Sequence, residues 1–297
     1  MKIGVVGNSA KASLPKAVEA LVKLCDKYPL ELFFHSDLSK ILKKSLDESV
    51  SKKQFLNAED LVRETDLVIA FGGDGTILSA ARMVGKAQIP ILGINLGKLG
   101  FLAEVSLEEL ETFVKDIVLD QYVVEERSVL RITLEKDKTE MFALNEVVID
   151  KSSSSRLIPI SIYVNNDYLV SFPGDGIIVA TPTGSTGYAL AAGGPIISPT
   201  TDVVVLQPIS PHSLSARTVI VPDSSIVRVV IGHLSDQARV TADGQQEQTF
   251  APPGNIYIQK ADYTVKLVKR KDRSYYDTLR AKLLWGSDIR LIKGEEK

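Results

Sequence analysis

Cysteine is almost missing: the chain of 297 residues holds a single one, Cys25. An intramolecular disulfide is therefore impossible, and no thiolate metal cluster can form from this chain alone. Within "LPKAVEALVKLCDKY", Cys25 reads as a small apolar residue on a buried helix face. Histidine is nearly as scarce: the three residues, His35, His212 and His233, lie far apart and lack metal-ligand spacing. No apolar run approaches the ~20 residues of a membrane span, and the opening "MKIGVVGNSA" is too short for a signal-peptide core. Neither sign of charge is in excess, since 35 Lys and Arg stand against 37 Asp and Glu. Bulk electrostatics thus favour neither nucleic acid nor an anionic membrane. The one dense basic cluster, "VKRKDR" at 268–273, reads as a solvated strand end. No Ser-His-Asp or Gly-x-Ser-x-Gly arrangement stands out, no internal repeat is evident, and the serines at 152–155 are the only low-complexity stretch. These absences point to a protein of the reducing cytoplasm, without nucleic-acid or membrane partners.

What is present is an ordinary globular composition, 44% hydrophobic and 24% charged, with length for two domains. Up to about residue 119, strand-like and helix-like segments alternate. "KIGVVG", "LELFFH", "DLVIAF" and "IPILGINLG" read as strands. Between and after them come helices at 14–28, in "SDLSKILKKSL", from Thr76 to about Val84, and in "SLEELETFVKDIVL", where Ser106 and Glu109 have capping-box spacing. This alternation predicts a parallel sheet covered on both faces. From 120 to 267 the texture changes to closely spaced β-branched strands joined by Asn, Asp, Gly, Pro and Ser, which predicts an all-β antiparallel, sandwich-like domain. One Ala-rich helix, 185–193, interrupts it. The tail 268–297 turns helical again, with Leu279, Leu283, Leu284 and Trp285 near helical spacing, and is expected to pack back on the first domain.

Three constellations carry chemistry. In "VIAFGGDGTIL" an apolar strand breaks at Gly72-Gly73-Asp74-Gly75 before a helix, a geometry that presents backbone N–H groups to an anion. Thr76 is expected to cap that helix, leaving Asp74 free; the bland alternative makes Asp74 a cap. In "TPTGSTGYALAAGGPI", Thr183, Ser185 and Thr186 alternate with glycines at a helix start and offer donors to a polar ligand, or else form an elaborate cap. Asn145 and Glu146 interrupt an apolar strand pattern, so one of the pair is expected to point inward and to need a partner. Asp175 and Asp243 both precede glycine, and for Asp243 a plain hairpin turn is the favoured reading.

With "GGDGT" at 72–76, "NLGKLGFL" at 95–102, "NEVV" at 145–148, "DGIIVATPTGSTGYALAAGGPI" at 175–196, "PHSLSAR" at 211–217 and "DGQ" at 243–245, the chain resembles the NAD kinase family over nearly its whole length. "GGDGT" alone is shared with diacylglycerol-type lipid kinases. The resemblance implies ATP-dependent phosphorylation of the adenosine ribose 2′-hydroxyl of NAD to give NADP, with Mg²⁺ as the divalent cation. It also implies an active site between two domains and a homodimer or homotetramer. Carried over, Asp74 is the proton acceptor and Gly75 lies against the dinucleotide. Asn145 and Glu146 hold adenosine and its ribose hydroxyls. Asp175, Thr186, Gly187, Tyr188, Ala189, Leu190 and Ala191 line the rest of that site, Arg156 and Gln245 add contacts, and Phe101 forms an aromatic wall. Many relatives carry Arg where this chain has Pro173, so a basic contact is expected from elsewhere, with Arg156 as the candidate. Gly187 stands where Ala is frequent. A lipid kinase sharing Asp74 and a non-catalytic NAD-binding regulator are the competing classes.

Overall fold

The computed structural model describes residues 1–45, 54–103, 105–136, 138–233 and 237–285. It divides into two compact units, 1–125 with 266–297, and 126–265; residues 286–297 of the expected tail lie outside the described residues.

The first unit is built on strands β1 (Lys2–Gly7), β2 (Glu31–His35), β3 (Gln54–Leu56), β4 (Leu67–Gly72) and β5 (Ile91–Asn95), in the order β3-β2-β1-β4-β5 and all parallel. Every residue of β4 is buried, as a strand covered on both faces requires. Helix α1 (Leu14–Leu24) has Pro15 in its first turn and buries Leu14, Ala17, Val18, Leu21 and Leu24, one stripe at helical spacing. Cys25 follows at its C-cap, half-buried with its thiol toward the Leu21 carbonyl. Helices α2 (Ser39–Ser45), α3 (Ala58–Glu64) and α4 (Asp74–Val84) complete the crossovers between strands. After the short β6 (Val105–Ser106), the capping box of Ser106 and Glu109 starts the turn that leads into α5 (Leu110–Val118).

The second unit is antiparallel throughout. Strands β7 (Val123–Leu134), β8 (Glu140–Ala143), β9 (Glu146–Asp150), β10 (Ile158–Val164), β11 (Asp167–Gly174) and β12 (Gly176–Ala180) precede a break in the pattern. There the expected helix 185–193 is a 3₁₀ turn, Thr183–Thr186, followed by only one turn of helix, α6 (Tyr188–Ala191). The glycines that flank α6 bound it on both sides. Strands β13 (Val203–Ile209), β14 (Val219–Pro222), β15 (Val227–Ile231), β16 (Ala238–Ala242), β17 (Gln246–Phe250) and β18 (Gly254–Lys269) complete two sheets. One runs β14-β13-β12-β9-β16-β17; the other carries β11-β10-β15-β18, with β7 and β8 beside β18. Alternate residues of both sheets, among them Val147, Ile149, Ile177, Val179, Ile160, Val229 and Ile258, form one core, the pattern of a sandwich.

Strand β18 crosses the unit boundary, and beyond it Leu267 pairs in parallel with Ile91 of β5. The tail helix α7 (Tyr275–Leu283) opens on a second capping box, Ser274 with Asp277, and belongs to the first unit. It buries Thr278 and Leu279, whereas Leu284 and Trp285 are 72% and 54% exposed. The expected apolar stripe is therefore shorter than the spacing suggested, because Leu284 takes a left-handed conformation that ends the helix.

Candidate active site

The residues singled out in the sequence fall into two groups, one in each unit. In the first unit Asp74 is the first residue of α4, immediately after β4, so the strand–loop–helix reading holds. The cap assignment does not: Gly73 is the N-cap, without a side-chain hydrogen bond, and Thr76 lies in the first turn. Nor is the Asp74 carboxylate free. Its Oδ2 accepts the backbone N–H of Phe101 (2.9 Å), and its Oδ1 accepts those of Leu102 (3.0 Å) and Ala103 (3.1 Å). Three consecutive N–H groups converging on one carboxylate make a nest for negative charge. A Cβ at Gly100 would collide with Asp74 Oδ1, so glycine there lets the loop close on the carboxylate. Gly75 is exposed beside it. The α7 helix reaches the same loop: Lys282 Nζ donates to the Leu99 carbonyl (2.7 Å) and stands 5.3 Å from the Phe101 ring centroid.

In the second unit Asn145 lies just before β9 and Glu146 begins it. Only one of the two was expected to turn inward. Both side chains do, because Asn145 precedes the strand and escapes its alternation: a methyl at Gly187 would lie 2.8 Å from Glu146 Oε2 and 3.6 Å from Asn145 Nδ2. Asn145 Oδ1 and Glu146 Oε2 are buried without a hydrogen-bond partner, although Glu146 is only 7% exposed. Burial pushes the Glu146 carboxyl up to about 7, and the charge of Asp243 adds to the rise, while the Tyr188 backbone N–H opposes it. Two buried acceptors left open beside a glycine are costly unless a ligand's donors complete them.

The segment 181–191 frames that opening. Its hydroxyls turn out to serve the protein: Thr181 Oγ1 donates to the Leu144 carbonyl (2.6 Å), Ser185 Oγ to Pro182 (2.7 Å) and Thr186 Oγ1 to Thr183 (3.2 Å). Tyr188 is 45% exposed and Ala189 fully buried, while Leu190 and Ala191 lie half-buried and exposed at the end of the helical turn. Asp175 pairs with Lys151 (2.6 Å), which sets a basic group beside that carboxylate. Arg156 stands exposed in the loop after β9. Gln245 is exposed in the β16–β17 turn, its N–H on the Ala242 carbonyl (3.0 Å).

Asp243 is the residue that the turn reading undervalued. It does occupy the turn, with φ of +52° ahead of Gly244 at +64°. Its side chain, however, is buried and accepts the N–H groups of Leu144 (2.9 Å), Asn145 (2.8 Å) and Glu146 (3.2 Å). An Asp-Gly hairpin signal carries no sign of such a contact across about a hundred residues of sequence.

The chain as a whole is similar to known proteins. A family model described as the ATP-NAD kinase N-terminal domain matches residues 3–122, and one described as the ATP-NAD kinase C-terminal domain matches 144–270. An NAD kinase of Bacteroides fragilis is 39% identical over 293 residues, 98% of this chain and 100% of that protein. One of Geotalea daltonii is 38% identical over 252 residues, covering 84% and 89%. Among solved structures, yeast NADH kinase complexed with NADH superposes with a TM-score of 0.90 at 26% identity, covering 98% of this chain and 89% of that one. An NAD kinase from Archaeoglobus fulgidus in complex with ATP gives 0.74 at 27%, covering 95% and 99%. With both domain models matched in order and relatives this similar aligned across nearly the whole chain, the chain belongs to the NAD kinase family.

Proposed function

We propose that the chain transfers the γ-phosphoryl group of ATP to the 2′-hydroxyl of the adenosine ribose of NAD, giving NADP and ADP. The observation that carries this reading is the pair of open, buried acceptors, Asn145 Oδ1 and Glu146 Oε2, beside Gly187. Ribose hydroxyls and the adenine amino group are donors of the kind those atoms lack. In this reading Asp74 takes the hydroxyl proton as the bond to phosphorus forms, since phosphoryl transfer otherwise requires mainly positioning and charge neutralisation. The loop 101–103 holds that carboxylate at the helix N-terminus, where backbone N–H groups suit the donor's phosphates. A cavity of about 200 Å³ at the carboxyl ends of β1 and β2, bounded by His35, Ser79 and Met83, offers room for the donor's base.

Among the described residues no group of three or more His, Cys, Asp or Glu converges on a point. A Mg²⁺ would be carried on the donor's phosphates, with Asp74 the one acidic side chain of the glycine loop 72–75. The cation would neutralise phosphate charge. Thr186 through Ala191, Asp175, Arg156 and Gln245 are read as further dinucleotide contacts, and the protein as a cytoplasmic homodimer or homotetramer. Incubating the protein with ATP, Mg²⁺ and NAD tests the reading. NADP should accumulate, and turnover of a lipid acceptor, or NAD binding without product, would overturn it.

A further inference from the structure

Resting on that reading of the dinucleotide site, we propose that Asp243 is a positioning residue that clamps the backbone of 144–146 and so aims Asn145 and Glu146 at the ribose. The case is geometric first. Asp243 is buried, and its two carboxylate oxygens accept three successive N–H groups, with the Oδ1 shared between Asn145 and Glu146. The same backbone is held from its carbonyl side, where Thr181 donates to Leu144 and Asn145 from Oγ1 and to Asn145 from its own N–H. The Asp243 N–H in turn donates to the Glu146 carbonyl (2.9 Å). A short stretch that carries two open acceptors is thus fixed at both N–H and C=O, which is what recognition of a small, directional ligand requires.

Electrostatics add a second consequence. Glu146 lies within reach of the Asp243 charge, and the groups acting on its carboxyl are burial, that charge and the Tyr188 N–H. Removing the charge should let Glu146 ionise at lower pH. The clamp therefore couples the orientation of the pair to its protonation.

The test is Asp243→Asn, with steady-state kinetics for each substrate across pH 5.5–9. The amide can accept from only one of its two ends and turns N–H donors toward the backbone donors at the other. KM for NAD should rise about 10- to 100-fold, the span for losing charge-assisted bonds, while KM for ATP stays within about threefold. An inflection of kcat/KM for NAD is expected near 7 in the wild type, where burial holds the Glu146 carboxyl, and should move toward acid in the variant. Unchanged KM for NAD, or an unmoved inflection with both substrates equally impaired, overturns the clamp. If the Asn variant does not fold, Asp243→Glu takes its place: a raised KM for NAD with KM for ATP within about threefold supports the clamp, and an unchanged KM for NAD overturns it. A wild type that makes no NADP sinks the functional reading instead, which separates the two failures.

Discussion

At the scale of single residues, two carboxylates do opposite things because their surroundings differ. Asp74 receives three backbone N–H groups and is held as an acceptor, whereas Glu146 is buried near another carboxylate with Oε2 unpartnered. For Asp74→Asn, kcat should fall by about 10²–10⁴, the usual worth of a positioned proton acceptor. The substitution also removes part of the anchor for 101–103, so a drop in melting temperature is expected alongside. A Mg²⁺ series separates the roles, because a metal ligand's loss would be partly restored by rising Mg²⁺ and a proton acceptor's would not. For Glu146→Gln, NAD use should weaken by about 1.5–3 kcal/mol with little change in KM for ATP. Stability should move the other way. The native carboxyl binds its proton up to about 7, against 4.5 for an unperturbed glutamate. Between those values the native state holds a proton that the unfolded state has released, so stability falls as pH rises through the interval and then levels off. Glutamine does not ionise, so the variant should gain up to ~3 kcal/mol above pH 7 and nothing below pH 4.5. Denaturant titrations of the ligand-free protein at pH 4.5 and 8 measure the difference, and an equal effect at both pH values would contradict the assignment.

At the scale of elements, what could be read in advance was what local chemistry determines. The wholly apolar β4, the stripe of α1 and the capping box at Ser106 each depend on neighbours in sequence, and each forms as its residues dictate. The parallel and antiparallel halves followed from the spacing of such segments. The contacts that finish the candidate site depend on residues far apart. Asp74 meets 101–103, and Asp243 meets 144–146, through backbone N–H groups that no residue type advertises. Pattern reasoning accordingly left Asp74 unpaired and gave Asp243 a turn alone. The hydroxyls of Ser185 and Thr186 are a related case, since a residue type does not show that its proton goes to the carbonyl three residues back. The loop closing on Asp74 has its own test. Gly100→Ala places a methyl against the carboxylate and should displace the loop without altering the carboxylate's chemistry. A fall in kcat of tenfold or more, with KM for NAD within about threefold, is the expected result if geometry at Asp74 limits the reaction. Wild-type turnover would show that the loop is free to yield.

At the scale of the whole molecule, the chain leaves its first unit after β7 begins and returns through β18, and α7 then reaches the 99–101 loop of that first unit. The return has a structural and a functional part. Leu279, 2% exposed, anchors α7, and Leu279→Ala should cost about 2–5 kcal/mol, seen as a lowered melting temperature. Truncation before Arg273 removes that side chain together with buried Thr278, and insoluble protein or a large loss of stability is expected. Leu284 and Trp285 contribute little to that loss, being exposed. Lys282 is the functional part. Its ammonium joins the Leu99 carbonyl and faces Phe101, whose N–H holds Asp74 Oδ2. Because Lys282 is at the surface, its contacts should be worth only about 0.5–1 kcal/mol in stability. A loop held slightly out of place costs more in rate than in stability. Lys282→Met should therefore leave the melting temperature within a few degrees and KM for NAD unchanged, while kcat falls severalfold. Equal losses in kcat and stability would make α7 a packing element only, and unchanged kcat would detach the tail from Asp74 altogether.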